Sequence, residues 1–389
     1  MQHTHDVIII GAGIAGSAMA LALAKQGLRV ALIDKQQPSP ITAEMNLRVS
    51  NINLVSEQFL NTLGVVFPEN RRGLFKHIKI LQENSAQHLD FSASLLRLPY
   101  LGSIIENNVL VNLMQDILQK QSGVNCYFAV TAEKFVINKT AALAYLSKMG
   151  VLSAPLVIGA EGAHSSLLEH CGIAQAQKNY GQTALVAHIA TQHSHEEMAY
   201  QRFLTSGPLA YLPLHNQHHC SIVWSSTPSH IDYLSGLSDE AFALEVATNM
   251  LHELGTVEII SKRACYPLVM RHASRYISER VALIGDTIHT LHPLAGQGAN
   301  LGLMDVACLA QCIKDAKEKN RDIGDCAQLR PYERKRRMSN TLMLQAIKLL
   351  TKNQQPFLGL RALGVSCLIH SQFLKRIMIQ FAQGAYYDR

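Results

Sequence analysis

Gly11, Gly13 and Gly16 lie in the hexapeptide GAGIAG, directly after the apolar run DVIII at residues 6–10. Glycines at this spacing serve the binding of a dinucleotide. The first permits a tight turn, the second lets backbone approach a pyrophosphate, and the third lets a helix pack closely on the preceding strand. The helix opening there offers unpaired N–H groups and the positive end of its dipole to phosphate. Asp34, about 20 residues on, stands where a carboxylate can accept hydrogen bonds from ribose hydroxyls. A second segment, GDTIHTLHPLAGQGANLGLMD at residues 285–305, places Asp286 after another apolar run and Gly296 and Gly298 just ahead of a helical pattern. There too, a carboxylate and side-chain-free backbone face whatever approaches the start of a helix.

The elements that must position these residues follow from apolar periodicity. Residues 6–10 read as a buried parallel strand, the stretch SAMALALAKQG as a helix and residues 29–33 as a second strand, which completes a βαβ unit. Residues 281–284 read as another strand, 291–298 as a loop and 299–314 as a helix. The motifs are interleaved along the chain. This predicts an α/β fold with a Rossmann-like, doubly wound nucleotide-binding domain around a parallel central sheet, assembled from residues 1–75, 100–175 and 262–335. Residues 76–99 and 180–262 should form an interleaved substrate domain with a mostly antiparallel sheet, in which AYLPL and CSIVWS make a hairpin around HNQHH. Residues 336–389 should be a helical C-terminal region.

Composition excludes several classes. A chain of 389 residues, 48% hydrophobic and 16% charged, can bury a large core. Eight cysteines without framework spacing, and no leader ahead of the first strand, predict a reducing cytoplasm. The net charge of +6 comes with no basic-aromatic module, so nucleic acid is not an expected partner. No run of 18 apolar residues suggests a membrane span. The apolar stretch from Phe357 onward is interrupted by Arg361, His370, Lys375 and Arg376, and reads as a core helix pair or an oligomer contact in preference to a lipid surface. His289 and His292 lack a nearby carboxylate or thiolate constellation, so no metal site is expected. Cys308 and Cys312 read as packed thiols on one helix face.

The fingerprint alone does not separate FAD from NAD, since both carry adenosine pyrophosphate. Taken together, the two glycine segments, about 270 residues apart, resemble the FAD-binding halves of the aromatic-ring flavoprotein monooxygenases related to p-hydroxybenzoate hydroxylase. The later segment is most similar to the ubiquinone-biosynthesis hydroxylases. Further segments follow in family order: NLRVSNIN (46–53), IIENNVL (104–110), LVIGAEGAHS (156–165), GPLAYLPL (207–214), SIVWS (221–225), YPL (266–268) and LRPYERKR (329–336). The similarity covers most of the chain and is greatest to the branch that hydroxylates polyprenylphenol.

The resemblance implies FAD as cofactor. Gly11, Gly13, Ile14, Ala15, Gly16 and Asp34 would hold its adenosine half, with Lys35 and Val130 as further contacts. Gly285, Asp286, Gly296, Gln297, Gly298, Ala299 and Asn300 would hold the flavin half. Pro293 would shape the reacting side of the ring and Arg48 would position flavin or substrate. Glu161 and Gly162 belong to a motif that serves FAD and the pyridine nucleotide in related hydroxylases. Three positions depart from the wider pattern: Glu161 replaces an aspartate, Leu168 an arginine, and Asn107 an arginine found in many relatives, although the ubiquinone branch often has asparagine there.

The activity implied is hydroxylation of the aromatic ring of a polyprenylated phenol on the way to ubiquinone, with NADPH or NADH as reductant and molecular oxygen as co-substrate. Such a substrate lives in the bilayer, which implies a peripheral membrane contact, a lipid-binding partner or a multi-enzyme complex. An oligomer is compatible with the chain. Spacing singles out no general base, and Tyr211 and His289 are the only candidates it offers. Three other readings stay open at this point: an NAD-dependent dehydrogenase, a flavoprotein of another chemistry, and an FAD-binding assembly subunit of weak activity.

Overall fold

The computed structural model describes residues 3–83, 85–147, 149–290, 296–351, 371, 375–376 and 378–380. Its α-helices among these residues are α1 (Ile14–Lys25), α2 (Leu54–Thr62), α3 (Asn107–Leu118), α4 (Ser166–His170), α5 (Pro228–Gly236), α6 (Asp239–Asn249), α7 (Gly298–Glu318) and α8 (Cys326–Thr351). The run VIII forms the strand Val7–Ile10, whose Val7, Ile8 and Ile9 are wholly buried. β-branched side chains on both faces of a strand suit the centre of a covered sheet. A six-stranded sheet forms around it in the order Ile277–Ser278, Val281–Leu283, Leu156–Gly159, Val7–Ile10, Val30–Asp34 and Val124–Phe128. All its pairings are parallel except that of the short edge strand Ile277–Ser278. α1 is buried over most of its surface and packs against α3 and α7.

A nine-stranded sheet forms the second layer system, with the long strand Gln175–Thr191 near its centre. The hairpin expected around HNQHH is present as Gly207–Pro213 paired antiparallel with His219–Ser226. The strands His77–Gln82 and Ser85–Ser92 extend this sheet at one edge, where His77–Gln82 runs parallel to Met198–Leu204. Alternation separates the two faces. Leu185, Ala187, Ile189, Cys220, Ile222 and Trp224 pack with Ile231 and Leu234 of α5 and Phe242 and Val246 of α6. The residues between them on each strand therefore point to the opposite face.

A small antiparallel sheet of Val49–Asn53, Gly102–Glu106 and Arg72–Phe75 contributes Ile52 and Ile105 to the main core, and Phe75 and Ile104 to a second core with Phe91, Leu214 and Ile379. The strands Ala264–Ala273 and His289–Thr290 belong to the nine-stranded sheet although they fall in the segment 262–335. The proposed division into units is thus more finely interleaved than the sequence segments drawn for it. α8 buries Leu329, Tyr332, Arg336, Ser339, Asn340 and Met343 along one face. The apolar stretch from Phe357 lies outside the described residues, apart from isolated positions such as Ile379. No helix among the described residues is long and apolar enough to cross a membrane.

Candidate functional site

The carboxyl ends of the parallel strands bring the predicted residues to one edge of the six-stranded sheet, the usual ligand edge of such folds. Gly11 leaves its strand with φ +101° and donates its N–H to Ile33 O at 2.7 Å, while Ala160 N–H reaches Ile10 O at 2.7 Å. Asp34 closes this turn, its Oδ2 accepting from Ala12 N–H at 2.6 Å and its Oδ1 from Gln36 N–H at 2.8 Å. A carboxylate has about four lone-pair sites, so capacity is left for ribose hydroxyls. Lys35 is exposed beside it, and buried Val130 donates its N–H to Asp34 O at 3.1 Å.

The glycines divide into two kinds. A methyl group on Gly11 would lie 2.3 Å from Ala160 O, on Gly16 1.8 Å from Gly11 O, on Gly285 3.0 Å from Ala15 Cβ, and on Gly296 2.9 Å from Asn51 Cβ. These four are glycine because protein backbone or side chain occupies the space. A methyl group on Gly13 or Gly298 would meet nothing within 4 Å. Those two stand at the openings of α1 and α7, and neither helix is capped by a side chain. Two uncapped helix N-termini with bare backbone form a cradle for an anionic or strongly polar ligand. Ile14, Ala15 and Ala299 follow in the first turns, half-buried, and Gln297 is buried just ahead of α7.

α1 and α7 meet through Ala15, Gly285 and Gly302, so the segments far apart in sequence come together beside the ends of the parallel strands. Asp286 is exposed there even though protein crowds it from most sides, the condition of a side chain at the wall of a cleft. That crowding pushes its carboxyl up, against the pull of His289 and Arg48. Arg48 itself is exposed, with its guanidinium 5.8 Å from the centre of the Tyr266 ring. Its carbonyl accepts from Asn107 N–H at 2.9 Å, which ties the segment to the start of α3.

Two expected cofactor residues have their side chains committed elsewhere. The Asn300 amide donates to Asn51 O at 2.8 Å and accepts from Asn53 N–H at 3.0 Å, pinning α7 to the strand Val49–Asn53. Only its backbone is left for a ligand. Glu161 turns its carboxylate onto the start of α4, accepting from Ser165 Oγ, Ser166 N–H and Oγ, and Leu167 N–H at 2.5–3.2 Å. In the same turn Gly162 N–H reaches Thr287 Oγ1 at 3.1 Å. Leu168, where relatives carry arginine, is packed into the main core. Pro293 and His292 lie outside the described residues.

Neither candidate base is placed for the task. Tyr211 is 1% exposed, faces α6 and donates its hydroxyl to Val246 O at 3.0 Å. Burial drives its pKa far up, so it belongs to the core and is withdrawn as a base. His289 is fully buried, with Nε2 2.7 Å from Asp305 Oδ2. Asp305 is the centre of a cluster that the sequence did not announce. It also accepts from Gly285 N–H at 3.1 Å and from Arg336 Nε at 2.7 Å, and Arg336 NH2 reaches Asn340 Oδ1 at 3.0 Å. Burial alone would push the Asp305 carboxyl up, but His289 and Arg336 outweigh it and hold it below its ordinary value. The cluster locks α8 beneath the Gly285 turn. Only the GLMD ending of the second glycine segment and the LRPYERKR run hinted at it.

Cys308 and Cys312 lie one turn apart on α7, half-buried against the core. Among the described residues no group of three or more His, Cys, Asp or Glu could hold a metal ion.

The FAD binding domain family matches residues 4–346. The 3-demethoxyubiquinol 3-hydroxylase of Escherichia coli is 31% identical over 97% of this chain and 98% of its own length. Ubiquinone hydroxylase UbiL of Rhodospirillum rubrum is 32% identical over 97% of this chain and 89% of its own. Among solved structures, p-nitrophenol 4-monooxygenase PnpA of Pseudomonas putida superposes with a TM-score of 0.78 over the full length of both chains at 17% identity, which is a likeness of fold.

Proposed function

This chain belongs to the FAD binding domain family, among the FAD-dependent monooxygenases that include the hydroxylases of ubiquinone biosynthesis, and from that premise we propose that it hydroxylates the ring of a polyprenylated phenol on the route to ubiquinone. The observation that supports this reading best is the pair of uncapped helix mouths with open space at Gly13 and Gly298, drawn together where Ala15 packs on Gly285, because they suit a ligand with phosphate at its middle and a polar ring at its end.

FAD fits that arrangement. The turn at Gly11–Gly16 and Asp34 would take the pyrophosphate and adenosine ribose, Asp286 the ribityl hydroxyls, and the backbone of Gly298, Ala299 and Asn300 the pyrimidine edge of the ring. Bound there, FAD would carry electrons from NADPH or NADH to molecular oxygen, which supplies the ring hydroxyl. The dipole of α7 would favour negative charge at that edge. Arg48 and Tyr266 would stand on the substrate side, and the protein's task would be to hold the ring carbon close to the flavin while keeping water out. Glu161 would act by holding its turn in place.

A prenyl tail is disfavoured by water at about 0.8 kcal/mol per methylene, so the substrate should arrive from a bilayer or a lipid-carrying partner. We propose that the enzyme works at the membrane surface or within a complex of the same pathway. Two measurements test the reading. Purified protein should be yellow and release FAD on denaturation. Deletion of the gene in its host, in a strain without a redundant hydroxylase, should lower ubiquinone and accumulate a prenylphenol by mass spectrometry. Normal quinone content with no accumulated phenol refutes it.

A further inference from the structure

The face of the nine-stranded sheet turned away from α5 and α6 carries two buried polar atoms for which the described residues provide no partner. His188 and Ser221 are register partners on the neighbouring strands Gln175–Thr191 and His219–Ser226, so their side chains stand next to each other on one face. They are 2% and 0% exposed, and neither His188 Nδ1 nor Ser221 Oγ has a hydrogen-bond partner among the described residues. Buried polar atoms are nearly always paired, so two orphans side by side call for a reason.

The chemistry of the pair is fixed by its surroundings. His188 Nε2 lies 3.1 Å from Asn46 O. A carbonyl can only accept, so Nε2 carries the hydrogen and Nδ1 presents a lone pair. Burial lowers the imidazole pKa against the opposing pull of Glu106, with His219 adding to the lowering, and the ring is held neutral. The site therefore offers one acceptor and, from Ser221, one hydroxyl able to donate. A phenol hydroxyl is the complement, since it donates one hydrogen bond and accepts another.

Position agrees with this. Asn46, which holds His188, is two residues ahead of Arg48, whose charge reaches Asp286 and whose guanidinium lies over Tyr266. Leu212 is the register partner of Ser221 on the other side and packs, as Met45 and Val49 do, against the core that holds Ile104. A polar pair among apolar side chains, beside the segment leading to the cofactor cleft, is how a site orients a mostly apolar ligand.

We propose that His188 Nδ1 and Ser221 Oγ hold the hydroxyl of a phenolic substrate, the phenol O–H donating to His188 and its oxygen accepting from Ser221. The assignment rests on the phenol hydroxylase reading above and supplies the substrate contact that sequence spacing did not reveal. The hydrogen bond to Nδ1 draws the phenol proton away and pushes electron density into the ring positions ortho and para to the hydroxyl, which is where an electrophilic oxygen attacks. This interaction strengthens as the ring gives up electrons, so it favours the transition state over the bound ground state.

The test uses the full-length, FAD-loaded protein and two soluble probes, 2-allylphenol and its methyl ether 2-allylanisole, which cannot donate. Binding is followed by quenching of flavin fluorescence. Wild type should prefer the phenol by about tenfold or more, as expected when a buried acceptor is left unmet by the ether. His188→Leu should bring the two affinities to within about threefold of each other, and Ser221→Ala, which removes a donor that either oxygen can accept, should weaken both probes by about threefold or more, each leaving FAD affinity unchanged. His188→Asn, which keeps an acceptor near the place of Nδ1, should recover part of the preference. Ser221→Ala removes only an unpaired oxygen and will fold, so the assignment is decided even if His188→Leu does not. Probe affinities unchanged by Ser221→Ala, with a phenol preference undiminished in His188→Asn, overturn the assignment and leave the functional reading standing. Wild-type protein that binds neither probe removes both.

Discussion

Asp286 and Asp305 belong to one sequence segment and are set to opposite tasks by their partners. Asp305 is saturated by Gly285 N–H, His289 and Arg336 and is held ionised in the core. Asp286 is open to the cleft, with its carboxyl pushed up by the protein around it. Asp286→Ala should therefore raise the Kd for FAD by about tenfold or more, the worth of a charge-assisted hydrogen bond. His170→Ala, an exposed change on α4, should leave the Kd unaltered. Equal FAD titrations for the two variants would refute the assignment of Asp286. Glu161 gives the converse case. Its carboxylate caps α4, so Glu161→Ala should cost about 1 kcal/mol of stability and leave the rate of flavin reduction by NADPH at the wild-type value in stopped flow. Slowed reduction with an unchanged Tm would restore Glu161 to a nucleotide-binding role. Asp34 and Asp286 could be read from the sequence because each follows a strand at a fixed distance from a glycine turn. Asp305, Arg336 and His188 could not, since their partners come from distant segments and burial is not written in the local pattern.

Elements explain why glycine recurs at positions with different duties. Gly16 has no room for a side chain because Gly11 O stands 1.8 Å from where its Cβ would be, and backbone cannot move aside as a flexible side chain can. Gly13, three residues earlier, has open space in front of it. Gly16→Ala should then yield little folded protein, with the strand Val7–Ile10 and α1 forced apart at the centre of the main core. Gly13→Ala should keep the Tm of the FAD-free protein within about 1 °C, because an exposed change away from special contacts costs no more than about 0.5 kcal/mol, yet bind FAD more weakly as the methyl blocks the pyrophosphate. Thermal unfolding together with FAD titration separates the two outcomes. The strand, turn, helix and acid of this unit were legible because they are local, and so was the hairpin around residues 214–218. The small sheet of Val49–Asn53, Gly102–Glu106 and Arg72–Phe75 was not, since its pairing joins segments whose separation no periodicity records. The same holds for Ala264–Ala273 and His289–Thr290, which join the larger sheet from within a stretch whose motifs point to the cofactor.

At the scale of the whole molecule, the response to acid follows from which groups change protonation on unfolding. His195 is committed to the neutral form. Its Nε2 faces Leu214 O and Asn216 O at 3.1 and 3.2 Å, and its Nδ1 accepts from Glu197 N–H at 3.1 Å, so a second ring proton would break the last of these bonds. Burial lowers the pKa of His195 and of His188. A histidine depressed in the folded state binds fewer protons there than in the unfolded chain, so stability falls as pH drops below the unfolded value of about 6.5. Asp305 has the same sign in a different window, because its depressed carboxyl loses its contribution only below the ordinary carboxylate range. Asp286 opposes both, since a raised carboxyl takes up its proton in the folded state first and acidification favours folding through that interval. Between pH 7 and 5.5 the depressed histidines His188, His195 and His219 all act in one direction, and the Tm should fall. The 18 histidines on a chain already at +6 add repulsion in the same direction. His195→Gln removes one of the two buried titrating rings, so its Tm should be lower at pH 7.5 but decline less steeply toward pH 5.5. A decline as steep as that of wild type would mean that general charge repulsion, rather than this buried ring, governs the acid response.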